Sequence, residues 1–108
     1  TQARTYSAGQ SSSTSGYTSG GLNPSTSTEV NTIDKFPFSS DTNATDVGDL
    51  SQAREGAAGT SSTTNGYTSG GESPIVDTID KFPFSADANA TDVGNLSAVK
   101  GYPAGQQV

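Results

Sequence analysis

The sequence contains no cysteine, histidine, methionine or tryptophan. Without cysteine there are no disulfides, thiolate nucleophiles or thiolate metal sites. Without histidine the usual base near neutral pH and the commonest transition-metal ligand are missing. Basic residues are also scarce, five against eleven acidic ones for a net charge of −6. No basic stripe of the kind that binds phosphate backbones can be assembled from them, so nucleic acid is excluded as a partner. Leu, Ile, Val and Phe total 16 of 108 residues, a level at which a chain rarely buries enough apolar surface to offset its ordering entropy. No apolar run approaches the roughly 18 residues of a membrane span, and no signal-peptide pattern opens the chain. Membrane insertion is therefore not expected. The first residue is Thr1 rather than Met, which marks a processed chain or a piece of a longer one.

What is present is small and polar: 17 Ser, 15 Thr and 13 Gly. Composition alone would read as disorder, but the few apolar residues recur in order. Thr32–Leu50 (TIDKFPFSSDTNATDVGDL) matches Thr78–Leu96 (TIDKFPFSADANATDVGNL) at 16 of 19 positions, 46 residues apart. Thr1–Gly21 matches Ser51–Gly71 at 14 of 21 positions, 50 residues apart, sharing GYTSGG. The difference in spacing falls in one loop, Leu22–Asn31 against Glu72–Asp77. Residues 1–50 thus form one repeat, residues 51–96 a second, and residues 97–108 begin a third.

Each repeat offers four strand candidates separated by Gly, Pro and Asn/Asp turns, and no helical periodicity. In the second repeat these are Ala53–Ser62, Thr64–Ser69, Thr78–Phe84 and Thr91–Leu96. The first is nearly all Gly, Ala and Ser, as expected where backbones crowd together. Phe82 and Phe84 share one face by the two-residue period, and Pro83 between them belongs at a bulge or with its nitrogen turned from a neighbour. Val93 and Leu96 are expected to point inward. The expected core comprises Tyr17, Ile33, Phe36 and Phe38 in the first repeat and Tyr67, Ile79, Phe82 and Phe84 in the second. One repeat has too few such residues to stand alone, so repeats must pack face to face.

The order AREGAAG, GYTSGG, TIDKFPF, turn, VGNL resembles kelch repeats, and more narrowly the kelch-like arrays with GYTSGG and IDKFPF signatures in tail-fibre and virion proteins of marine bacteriophages. It departs from kelch in having Asp46-Val47 and Asp92-Val93 where a Trp is usual, and in lacking the Tyr-Asp pair of the third strand. The resemblance implies an all-β fold of β-propeller blades, each a four-stranded antiparallel sheet: two blades plus the first strand of a third. It further implies an extracellular virion component, structural or binding a host-surface glycan. Its partners would be copies of itself or further blades of a longer chain. Two alternatives stand beside it: a purely structural subunit assembling into a ring or filament, and a polysaccharide-degrading propeller.

Carboxylates are the only candidate catalytic groups. Asp34/Asp80, Asp41/Asp87 and Asp46/Asp92 repeat from module to module, whereas a glycosidase needs two carboxyls in different environments. They are read as structural, with Arg4, Arg54, Lys35, Lys81 and Lys100 as ion-pair partners, and no enzymatic activity is expected. The run Asp41–Asp49 is rich in oxygen ligands but misses the EF-hand pattern, with Asp46 in place of Gly and Gln52 in place of Glu. Asx-turn bonding is expected there, with Ca²⁺ as the alternative and no other cofactor. Asn43, Asn89 and Asn95 head glycosylation sequons, which arise readily in a Ser/Thr-rich chain and are expected to stay unmodified. A shared scaffold can present variable residues for recognition. Among the positions that differ between repeats, Tyr6, Glu55 and Tyr102 are the candidate ligand-binding residues, the tyrosines offering a flat apolar face and a hydroxyl. The unequal loops are the second variable region.

Overall fold

The structure is a computed structural model and describes residues 1–72 and 74–105. Among the described residues there is no helix, and accordingly none long and apolar enough to cross a membrane. The first repeat forms one antiparallel sheet from β1 (Ala8–Ser11), β2 (Ser15–Ser19), β5 (Thr32–Pro37) and β6 (Thr45–Asp49), in that spatial order. The second forms its twin from β7 (Ala58–Ser61), β8 (Asn65–Ser69), β9 (Thr78–Pro83) and β10 (Thr91–Asn95). A two-residue hairpin, β3 (Leu22–Asn23) with β4 (Thr28–Glu29), fills the longer loop of the first repeat. Among the described residues neither sheet closes on itself, and no ring is formed.

Repeated motifs map onto repeated geometry. In GYTSGG the strand period sends Tyr17 and Ser19 to one face of the sheet, called the back, and Thr18 to the other, the front, where Asp34 and Phe36 also lie. Gly16 is opposite Phe36, and a Cβ there would come within 2.3 Å of the ring, so glycine provides the flat seat on which the phenylalanine lies. Gly66 serves Phe82 in the same way. In DVG, Val47 and Val93 are the extra residues of matched β-bulges, and Asp46 and Asp92 accept the Gly48 and Gly94 N–H at 3.2 and 3.1 Å. That is the expected Asx bonding, closing the bulge. Pro83 ends β9. Because Phe84 N–H donates to Thr64 on the β8 side, the Pro83 nitrogen faces the other edge, beyond the end of β10.

The two sheets pack back to front. Tyr17 on the back of the first sheet covers Phe82 and Phe84 on the front of the second, with ring centroids 5.4 and 5.0 Å away. Ile33, Leu50 and Ala90 complete this core. Polar bonds run across the same interface: Gln10 amide donates to Thr68 Oγ1 and to the Tyr67 carbonyl, Ser19 and Thr68 hydroxyls pair at 2.8 Å, and Asp49 exchanges bonds with Asn89 and Ala90. At the first strands β1 meets β7 so closely that a Cβ on Gly59 would lie 2.2 Å from the Gly9 carbonyl oxygen; Gly105 meets Gly59 likewise at 2.3 Å. Gly59→Val is therefore expected to lower the melting temperature by several degrees, measured by circular dichroism, because it would force the two backbones apart.

Three expectations are corrected. Phe36 and Phe38, expected in the core, are 39% and 56% exposed, whereas Phe82 is 2% exposed. The front of the first sheet has no sheet before it to supply the tyrosine that covers the second. By the same asymmetry Tyr67, Ile79 and Leu96 on the back of the second sheet are only half-buried and Val93 is exposed, although Tyr17, Ile33 and Leu50 are buried. Finally, the strand expected over Ala53–Ser62 is confined to β7, because Gly56 takes a left-handed conformation (φ 64°) and leaves Glu55 in an isolated bridge to Glu72.

Candidate functional site

Tyr6, Glu55 and Tyr102, ninety-six residues apart at the extremes, are brought to one rim of the molecule. The positions Tyr6, Gly56 and Tyr102 form a backbone ladder: Gly56 N–H donates to the Tyr6 carbonyl at 2.9 Å, and Tyr102 N–H to the Gly56 carbonyl at 2.8 Å. All three residues have left-handed backbones, with φ of 57°, 64° and 55°, a conformation uncommon for tyrosine. A Cβ on Gly56 would lie 2.7 Å from the Tyr102 ring. The absence of a side chain there lets the two tyrosines meet edge to face, centroids 5.9 Å apart, while each remains more than half exposed. The left-handed backbone thus holds two aromatic faces in solvent.

The second variable region is joined to the first. Thr5 pairs with Leu22 and Glu55 with Glu72 through reciprocal backbone bonds, so each unequal loop starts beside the rim. Glu72 is a member of the site that sequence reading placed only in a loop; its equivalence to Leu22 hid it. Desolvation raises the Tyr102 phenol above its ordinary value, with Glu72, Glu55 and Tyr6 adding to the shift. The site is thus an acidic, aromatic rim. Beside it an open cleft of about 710 Å³ is lined by Ile75, Leu96, Val99, Lys100, Tyr102 and Pro103 among others.

Of the repeated charges expected to pair, Arg4, Arg54 and Lys35 do so, whereas among the described residues Lys81 and Lys100 form no ion pair. Arg4 pairs with Asp34 at 2.7 Å and Arg54 with Asp80 at 3.3 Å, both arginines also donating to the equivalent Thr18 and Thr68 carbonyls. Arg54 and Asp80 are fully buried; desolvation lowers the Arg54 guanidinium from its ordinary value, opposed by Asp80 and Asp92. Lys35 reaches Asp87 across the sheets at 3.5 Å. Asn89 of the second sequon is an interface acceptor for Asp49 N–H. Among the described residues no three carboxylates converge as a metal site.

No family model matches the chain, and no curated protein matches it at a significant level.

Proposed function

We propose that the chain is a non-enzymatic, kelch-like β-propeller segment of a phage-like virion or tail fibre, working outside the host cell, and that its aromatic rim binds a host-surface saccharide. The observation that supports this reading is the meeting of Tyr6 and Tyr102 across Gly56, with Glu55 and Glu72 alongside. Exposed tyrosine faces stack on the apolar side of a sugar ring, while phenol hydroxyls and carboxylates take its hydroxyl groups. The four-stranded meanders with closely packed first strands agree with a blade arrangement. Non-enzymatic action is supported by the engagement of the repeated Asp34 and Asp80 in arginine ion pairs, where a glycosidase needs two carboxyls in different environments.

Screening the protein on an array of bacterial envelope glycans, followed by titration of the best ligand, tests the proposal. Tyr6→Ala and Tyr102→Ala are each expected to weaken binding by about tenfold or more. Failure of every glycan to bind, or unchanged affinity in both variants, would refute the saccharide reading. The second reading is a structural subunit, favoured by the uncovered Phe36–Phe38 surface.

A further inference from the structure

The interface between the two sheets also describes what is missing at their outer faces. Phe36 and Phe38 are arranged as Phe82 and Phe84 are: centroids 6.1 Å apart at 73° against 6.0 Å at 77°. The front of the first sheet is therefore preformed for a covering tyrosine, and Tyr67 on the far side of the molecule is the repeat equivalent of the Tyr17 that covers the second sheet. Asn43 and Ala44 repeat the Asn89 and Ala90 that bond to Asp49, and Asn95 stands where Asp49 does. The two uncovered faces of one chain are complementary to each other, not to themselves. Such a pair makes a heterologous contact.

The last described residues show how the contact begins. Lys100 is bonded to the second module as Arg54 is to the first: Gly71 N–H to the Lys100 carbonyl as Gly21 N–H to that of Arg54, and Lys100 N–H to Val76 as Arg54 N–H to Val30. Gly105 packs on Gly59 as Gly59 packs on Gly9. Residues 98–105 are thus seated on the second module as the leading segment of the second module is seated on the first. Arg54 has Asp80 in its own module, whereas among the described residues no carboxylate pairs with Lys100. In a second copy, the carboxylate at the corresponding place is Asp34.

We propose that the back of the second sheet in one chain binds the front of the first sheet in a second copy, residues 98–105 of the first chain replacing the second copy's own leading segment. Tyr67 then covers Phe36 and Phe38 of the second copy, Lys100 takes its Asp34 in place of Arg4, and residues 1–9 of that copy are released. The exchange puts residues 98–105 where their repeat equivalents, residues 2–9, stood and gains the buried interface.

Sedimentation velocity or native mass spectrometry across a concentration series tests this. The wild-type chain is expected to assemble in multiples of 10.9 kDa, and Phe38→Asp and Tyr67→Asp, substitutions on the two uncovered faces, are each expected to be folded monomers. Mixed, the two variants should form a one-to-one dimer and stop, since one retains a working back and the other a working front. On mixing, trypsin cleavage after Arg4 should accelerate by about tenfold or more in the Tyr67→Asp chain, because the Arg4 side chain is buried in the single chain and released by exchange. A wild-type monomer at all concentrations, or a mixture that stays monomeric, would overturn the docking; a dimer in which Arg4 stays protected would overturn the exchange.

Discussion

Phe82→Ala is expected to destabilise the protein by about 3–5 kcal/mol, while Phe36→Ala, at the same place in the first repeat, costs a fraction of that. The side chains are chemically identical and each lies on a glycine of its own β2-type strand. What differs is the far side of the ring. Phe82 is covered by Tyr17 and touches Phe84, and 2% of it is exposed, whereas Phe36 is 39% exposed. Truncating Phe82 removes buried area and leaves a cavity between two sheets; truncating Phe36 removes a ring whose outer side is already open to solvent. For a domain with about 5–15 kcal/mol of stability in total, the first loss is severe. Urea denaturation of the two variants at a concentration where the chain is monomeric checks this. Equal losses would mean that Phe36 is covered too, or that Tyr17 does not cover Phe82.

The contrast between these two rings explains what the sequence does and does not disclose. Strand positions were legible because Gly, Pro and Asp-Val-Gly punctuate every strand and the repeat gives each signal twice. The shared face of Phe82 and Phe84 followed from the strand period, and the crowding of Gly9, Gly59 and Gly105 from their small size. Burial was not legible for half of the apolar residues. Periodicity assigns a residue to a face, but whether that face is covered depends on the neighbouring module, and Phe36 and Tyr67 lie at the two ends where none is present. At the rim, variability singled out Tyr6, Glu55 and Tyr102, yet only their left-handed backbones and the ladder through Gly56 bring them together. Glu72 was marked only as the start of the second variable loop, since its partner repeat has Leu22 and its loop has a different length.

Asp80→Ala is expected to cost about 3–5 kcal/mol, although no apolar contact is lost. Both Asp80 and Arg54 have no exposed side-chain surface, and Asp80 also accepts the Ser51 N–H and hydroxyl at 2.8 and 2.7 Å. Removing the carboxylate leaves a buried guanidinium whose Nε and Nη1 already lack partners, together with two Ser51 donors deprived of their acceptor. Arg54 moreover joins the modules. Its backbone bonds to Gly21 and Val30 of the first, while its side chain holds Asp80 and the Thr68 carbonyl of the second. The loss should therefore reach both sheets, seen as one cooperative transition at lower urea with an undiminished slope, rather than as separate melting of the second sheet. Replacing the pair together, Arg54→Met with Asp80→Leu, should recover most of the loss because no buried charge remains. If Asp80→Ala melted within about 1 kcal/mol of the parent, the guanidinium would have found water, and the ion pair would not be what holds the two modules in register.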